Sequence, residues 1–300
     1  MTKLKIIAGT NSQKLAQKIA LHQNAEYIQA TVQRFPDGEL SVQLHTQLYN
    51  SKAIIVHSIH QHVNDNVMEL LLLANATQNV GASKIIAVTP YLAYCRQDKQ
   101  DYQNQTIPSI NAIAKIIKAS GIECLLAIDI HSKSAKEAFD IEFHNINTTN
   151  LFASCSNDID NPLLISPDSG GAKRCQEIAK LLHCEHIVMN KKRNIGTFLK
   201  QSDKMIISGR NCIIIDDIID TGWTITNVAN ILMKYKAKTI RAMVTHAVLS
   251  QNTFFALHKT ATMHEITTTS TITHMKLPKY FRVLDISTII SKKILEIINH

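Results

Sequence analysis

The sequence predicts an α/β chain of two tandem domains, each a mainly parallel sheet flanked by helices. Three observations carry this. Short β-branched runs alternate with stretches of helical spacing along most of the 300 residues, as strand–helix–strand units do. A polar, aperiodic segment over residues 145–161, closed by Pro162, interrupts the alternation. Strand cores then recur at a nearly constant offset, residues 4–7 against 163–165 and 54–56 against 213–215, about 159 apart. Domains are therefore expected at 1–146 and 147–285, with an amphipathic terminal helix over 286–300.

In the first series, residues 4–8 read as a strand and 12–21 as a helix, with Leu15 and Ile19 on one face behind a cap at Asn11 or Ser12. RFPDGE, from Arg34 to Glu39, contains Pro-Asp-Gly and reads as a tight hairpin turn before a strand at 40–44. Residues 53–57 are a strand, and 64–76 a helix whose Met68, Leu71 and Leu72 are expected in the core. A strand at 84–89 leads to the polar stretch 95–105, CRQDKQDYQNQ, where open α/β sheets bind ligands. A helix at 107–120 and a strand at 124–130, closed by Asp129 and His131, complete the series.

The second series runs from a strand at 163–165 through SPDSGG and a helix at 172–182 to a strand at 186–189. The basic run Lys191-Lys192-Arg193 follows, then a strand at 212–215, a helix at 225–235 and a strand at 240–244.

Composition bounds the function. Apolar content of 45% with 19% charged residues belongs to a globular chain. The longest apolar stretch, around residues 70–74, is far too short to cross a bilayer, and the first ten residues lack a signal-peptide layout. The net charge of +8 comes without a Lys/Arg block and with few aromatics to stack bases; anionic small substrates explain it as well as nucleic acid does, and so does a general compositional bias. Six cysteines are scattered with no C-x-x-C pair, which argues against zinc and disulfides and for a reducing cytoplasm.

The chemistry concentrates at Cys212 to Thr224, CIIIDDIIDTGWT. A buried strand, the acids Asp216 and Asp217, a third acid at Asp220, and the small polar group Thr221, Gly222 and Thr224 precede a helix. Backbone N–H groups and hydroxyls at a helix N-terminus hold phosphate, while the acids suit sugar hydroxyls or a shared Mg2+. Elsewhere the residues leave two readings open. Asp168 beside paired glycines serves Mg2+ or caps a helix. Lys191 and Arg193 clamp a transferring phosphoryl group or form a solvated basic turn. His131 at a strand end is, by itself, an ordinary structural histidine. There is no P-loop, so ATP would need another cradle.

Two resemblances follow from these runs. DDIIDTGWT resembles the ribose-phosphate loop of the type I phosphoribosyltransferase fold, with Trp223 where that family usually has Gly. In order along the chain, RFPDGE, NDNVMELLLL, TPYLAYCRQDK, DIHS, SPDSGGAKR, KKR and DDIIDTGWT resemble the motifs of the ribose-phosphate pyrophosphokinase family, over nearly the whole sequence. That resemblance implies two type I phosphoribosyltransferase-like domains and a Mg2+-dependent enzyme. It would transfer the diphosphoryl group of ATP to the C1 hydroxyl of ribose 5-phosphate, giving AMP and 5-phosphoribosyl 1-diphosphate.

Carried over motif by motif, Lys191 and Arg193 would stabilise the transition state. Phe35, Asp37 and Glu39 would reach the adenine of ATP bound to a neighbouring subunit, and Arg96 and Gln97 would hold the nucleotide of their own. Arg193, Asp216, Asp217, Asp220, Thr221, Gly222, Trp223 and Thr224 would bind ribose 5-phosphate. His131 and Asp168 would serve the Mg2+. A cytoplasmic homo-oligomer, without nucleic-acid or membrane partners, is implied. Besides Trp223, the sequence departs from the family pattern at Lys136 to Phe139, at Thr106 to Ser109, and at His144-Asn145-Ile146. In the family those segments serve subunit contacts and the allosteric anion site. A non-catalytic regulatory homologue and a phosphoribosyltransferase acting on a base are the alternatives.

Overall fold

The computed structural model describes residues 3–97, 107–192, 196–198, 204–250, 253–258 and 263–299. The chain forms two compact units, one of Met1–Ile146 with Thr271–Thr273 and Asp285–His300, the other of Asn147–Ser270 with His274–Leu284.

In the first unit the order is β1 (Lys3–Ala8), α1 (Gln13–Gln23), β2 (Glu26–Gln29), β3 (Thr31–Arg34), β4 (Leu40–Gln43), β5 (Ser51–Val56), α2 (Val63–Asn79), β6 (Lys84–Thr89), α3 (Ser109–Ala119), β7 (Cys124–Ile128), α4 (Lys133–Glu137) and β8 (Glu142–Ile146). Six strands make one sheet, ordered β2-β1-β5-β6-β7-β8, and every pairing in it is parallel. β1, β5, β6 and β7 lie inside the sheet and read as nearly unbroken apolar runs, because both faces are covered. β3 and β4 form a separate antiparallel hairpin.

The second unit contains α5 (Thr149–Ser154), β9 (Pro162–Ser166), α6 (Ala172–Leu181), β10 (Glu185–Val188), β11 (Asn190–Lys192), β12 (Gly196–Phe198), α7 (Lys204–Ile207), β13 (Asn211–Ile219), α8 (Trp223–Lys234), β14 (Thr239–Ala247), α9 (Thr253–His258), β15 (Met263–Thr269) and β16 (Phe281–Leu284). Its sheet is ordered β10-β9-β13-β14-β15-β16 and is again wholly parallel. Both sheets therefore place the second strand outside the first and add the rest on the other side. β1 and β9, the first strands of the two sheets, begin 159 residues apart.

The last helix, α10 (Ser287–Asn299), returns to the first unit. It lies along α1. Lys18 pairs with Asp285, His22 Nε2 meets Ser287 Oγ at 3.2 Å, and Gln23 Nε2 donates to Ser291 O at 2.8 Å.

Several local expectations are corrected. Residues 145–161 are not aperiodic throughout: β8 ends at Ile146 and α5 occupies Thr149–Ser154, with Phe152 fully buried. Met68 is exposed rather than in the core, because the buried stripe of α2 runs through Val67, Leu70, Leu73 and Ala74. The strand before His131 stops at Ile128; Asp129 has a positive φ of 38°, which turns the chain out of the sheet. Ser12 is the N-cap of α1, but its hydroxyl does not cap the helix and accepts instead from Ser58 N at 3.0 Å.

Candidate active site

An open parallel sheet binds ligands beyond the carboxyl ends of its strands, where successive connections turn to opposite sides. In the second unit that point lies between β9 and β13, which are paired from Asn211↔Pro162 to Ile214↔Ile165. Asp168 leaves the end of β9, and Asp216 and Asp217 lie near the end of β13.

The sequence suggested that both acids follow the strand. They are instead within it, because β13 continues to Ile219 and Asp216 pairs with Val244 of β14. The two side chains still face one another, for Asp217 acts on the Asp216 carboxyl both by its charge and by a side-chain hydrogen bond. Asp216 Oδ1 accepts from Asp217 N at 2.9 Å. The Asp216 carboxyl is pushed up to about 8, first by burial, then by the negative charge of Asp217 and, less, of Asp168. Asp168 is fixed by its own turn: its Oδ1 accepts from Gly170 N at 2.8 Å, and Ser166 Oγ donates to its carbonyl at 2.8 Å. Gly171, which opens α6, has no room for a side chain, since a Cβ would stand 2.8 Å from Ser166 Oγ.

The loop from Asp220 to Thr224 closes the site. Gly222 has φ 77°, which favours glycine, and a Cβ there would press on the Leu257 and Thr253 side chains at 3.3 Å. Trp223 is the first residue of α8, not part of the tight turn, and the residue is 58% exposed. A bulky residue is tolerated here because the left-handed position falls on Gly222. Thr226 N donates to Gly222 O at 2.9 Å, and Trp223 N makes a long bond to Thr221 Oγ1 at 3.4 Å, so the first turn of α8 points its N–H groups into the loop. Thr253 of α9 donates to the carbonyls of Asp220 and Ser250, which ties the loop to the next connection. Sequence reasoning missed Thr253, because a hydrogen bond to the distant Asp220 carbonyl leaves no local pattern, and it gave Ser166 no role although its partner lies two residues on.

Of the basic run, Lys191 lies in β11, paired with Thr197 of β12. The ribbon starts where β10 ends beside β9, with Met189 N donating to Ser166 O at 2.9 Å, and β12 lies against α8. Arg193 falls outside the described residues.

The other candidates belong to the first unit. Phe35, Asp37 and Glu39 are exposed at the tip of the β3–β4 hairpin. Phe35 N donates to Glu39 O at 2.8 Å, and Arg34 braces the tip through Gly38 O and Asp65 at 2.8 and 2.7 Å. Arg96 and Gln97 are exposed beyond β6, and Gln97 Oε1 accepts from Ser109 Oγ. The rest of that polar stretch, residues 98–106, falls outside the described residues. His131 is exposed past β7, just before the Ser132 cap of α4.

Two family models match this chain. The N-terminal domain of ribose phosphate pyrophosphokinase covers residues 4–121, and the phosphoribosyl transferase domain covers 135–259. A ribose-phosphate pyrophosphokinase of Pasteurella multocida is 32% identical over 307 residues, spanning 100% of this chain and 97% of that one. The chain belongs to the ribose-phosphate pyrophosphokinase family. A member from Vibrio parahaemolyticus is 34% identical over 84% of this chain and 82% of its own length. The crystal structure of phosphoribosylpyrophosphate synthetase from Mycobacterium smegmatis matches with a TM-score of 0.90 at 25% identity, over 99% of both chains. The doubled sheet order is thus the pyrophosphokinase fold, two phosphoribosyltransferase-type domains in one chain. No helix among the described residues is long and apolar enough to cross a membrane.

Proposed function

We propose that the protein transfers the diphosphoryl group of Mg-ATP to the C1 hydroxyl of ribose 5-phosphate, releasing AMP and forming 5-phosphoribosyl 1-diphosphate. One observation carries the reading. Carboxylates from two adjacent strands gather beside a glycine loop that opens a helix, at the β9–β13 crevice. A sugar phosphate needs that combination, acceptors for its hydroxyls and N–H donors for its phosphate.

In this reading Asp216 and Asp217 accept hydrogen bonds from the ribose hydroxyls. Asp220, Thr221, Gly222, Trp223 and Thr224 hold the 5-phosphate through backbone N–H groups and hydroxyls, Trp223 by its backbone alone. Lys191 and Arg193 offset the charge that develops as the diphosphoryl group leaves AMP, and Arg193 also reaches ribose 5-phosphate. Arg96 and Gln97 hold the nucleotide of their own subunit. Phe35, Asp37 and Glu39 take the adenine of a neighbouring subunit's ATP, which makes the enzyme a homo-oligomer. Their exposure at a hairpin tip supports this. Phosphoryl transfer depends on positioning and charge neutralisation, so no strong base is assigned at the C1 hydroxyl.

The residues fit a divalent cation. The mutual repulsion of Asp216, Asp217 and Asp168 is what an added positive charge relieves. His131 and Asp168 are each proposed to serve Mg2+. Bound Mg2+ supplies neutralisation of the phosphate oxygens. A cytoplasmic setting agrees with six free thiols.

The deciding experiment is product identification with ATP, Mg2+ and ribose 5-phosphate. AMP and phosphoribosyl diphosphate in equal amounts are expected. ADP as product, or no turnover by folded protein, would overturn the reading and leave the regulatory homologue. Transfer from phosphoribosyl diphosphate to a free base would favour the phosphoribosyltransferase.

A further inference from the structure

The spacing of cysteines along the chain argued against zinc, but strand register assembles a group that spacing hides. Cys124 opens β7 and Glu142 opens β8, and the two are direct partners across the parallel pair, with His144 two residues on, opposite Leu126. Residues two apart share a face, so Cys124, Glu142 and His144 lie on one side of the sheet. Their ligand atoms all fall within 4.8 Å of one another. Cys124 is buried, His144 half-buried and Glu142 exposed. His144 Nε2 already meets Glu142 Oε1 at 2.7 Å, and Lys84 Nζ of β6 stands 3.5 Å from Glu142 Oε2.

We infer that Cys124, Glu142 and His144 form a binding site for a thiophilic divalent cation of the Zn2+ class, which clips the edge strand β8 to β7. One thiolate, one imidazole and one carboxylate are a zinc donor set, with water as fourth ligand. Mg2+, a hard ion that takes oxygen ligands, does not compete for sulfur and nitrogen. Ligand atoms around tetrahedral zinc stand about 3.5 Å apart. Small rotations of Glu142 and His144, on a strand with one free edge, close the remaining gap. The site lies at the amino ends of β7 and β8, the end of the sheet opposite to His131 and the ligand-binding edge. Its role is therefore structural, not catalytic. Lys84 is its built-in competitor, since its ammonium now occupies the carboxylate that the metal needs. Burial and Glu142 push the Cys124 thiol up to about 12, so the metal releases the thiol's proton as it binds.

The test uses the full-length protein stripped of transition metals, in saturating Mg2+, titrated with Co2+ and then Zn2+. One equivalent of Co2+ should produce a thiolate-to-cobalt charge-transfer band that Zn2+ bleaches, and Zn2+ should raise the melting temperature. Cys124→Ser should abolish the band, whereas Cys184→Ser should retain it. His144→Ala should weaken Zn2+ binding by about 100-fold or more, at least the effect of losing a supporting group at such sites. Lys84→Met should tighten binding, a direction that no unrelated site predicts. Basal turnover should be unchanged in all four. If Cys124→Ser does not fold, His144→Ala and Lys84→Met decide. A band that survives Cys124→Ser, no band in the wild type, or Lys84→Met that leaves affinity unchanged would each overturn the site.

Discussion

The two units share a strand order and differ at the same place in it. In the second unit the crevice between the first and third strands of the sheet holds Asp168, Asp216 and Asp217 beside a glycine loop. In the first unit the equivalent crevice, between β1 and β5, is filled. Gly9 is pressed against His57, so closely that a Cβ would stand 1.9 Å from the ring. Asn11 Nδ2 donates to Ser58 O at 2.6 Å, and the Thr10 amide and hydroxyl donate to Glu69 at 2.6 and 2.8 Å. His57 is fully buried, with Nε2 at 3.0 Å from Asn66 O. One fold thus carries an open acidic crevice in one copy and a hydrogen-bonded plug in the other. The difference separates a site from a scaffold: substitutions at the first should alter turnover, and at the second stability.

That separation can be broken in four ways. The largest expected effect is on the basic ribbon of the open unit. Lys191→Ala should lower turnover by about 10³-fold or more, as loss of a transition-state cation does elsewhere, with unchanged circular dichroism and melting. Full activity in this variant would remove the role assigned to Lys191.

Next in size is the plug. His57→Ala should destabilise the chain by about 2–4 kcal/mol in urea unfolding, through the cavity and the stranded carbonyl of Asn66. The rate of AMP formation by the protein that remains folded should hold. If turnover collapsed while stability held, the plug would be part of the site.

Asp216→Asn should act in both directions. The Asp216 carboxyl, ordinarily near 3.8, titrates near 8 in the fold. Between those values the unfolded chain is ionised there and the folded chain still holds its proton. Stability from this group is therefore full below pH 3.8 and falls as pH rises towards 8. The amide removes the penalty, so stability at pH 8 should rise by roughly 1–3 kcal/mol, discounted for partial solvent access, while activity falls. Equal melting curves for the two proteins at pH 8 would deny the shift.

The smallest effect concerns acid sensitivity of the plug. Burial holds His57 below the usual imidazole range, offset in part by Glu69 and by hydrogen bonds to Asn66. Such a group contributes stability above pH 6.5 that is lost as pH falls towards its folded value. His57→Gln, which keeps a donor for Asn66 O, should flatten stability between pH 7 and 5 by about 1 kcal/mol. An unchanged pH profile would place the acid sensitivity elsewhere.

Much of this was readable from the residues. The fold class followed from alternating apolar runs, and the interior strands announced themselves because both of their faces are buried. DDIIDTGWT carried its ligand class in its own order. What failed were features decided by partners far along the chain. β2 (EYIQ) and β16 (FRVL) are four-residue edge strands, too short to show a period, and β15 is rich in threonine. Asp216 and Asp217 read in sequence as lying past the apolar strand, and the pairing with β14 extends the strand through them. Met68 was misplaced by one step around the helix, since Leu, Met and Val crowd both sides of the buried stripe. The meeting of Asp168 with Asp216, and of Cys124 with His144, depends on strand order, which no local pattern encodes.

Trp223 is the only tryptophan of the 300 residues. The residue is exposed at the first turn of α8, one residue after the left-handed glycine. The molecule therefore carries its own optical probe at the rim of the crevice. Emission excited through that indole arises from one position alone, so a change in its colour or in its quenching by iodide, on adding a sugar phosphate, reads occupancy directly without any label.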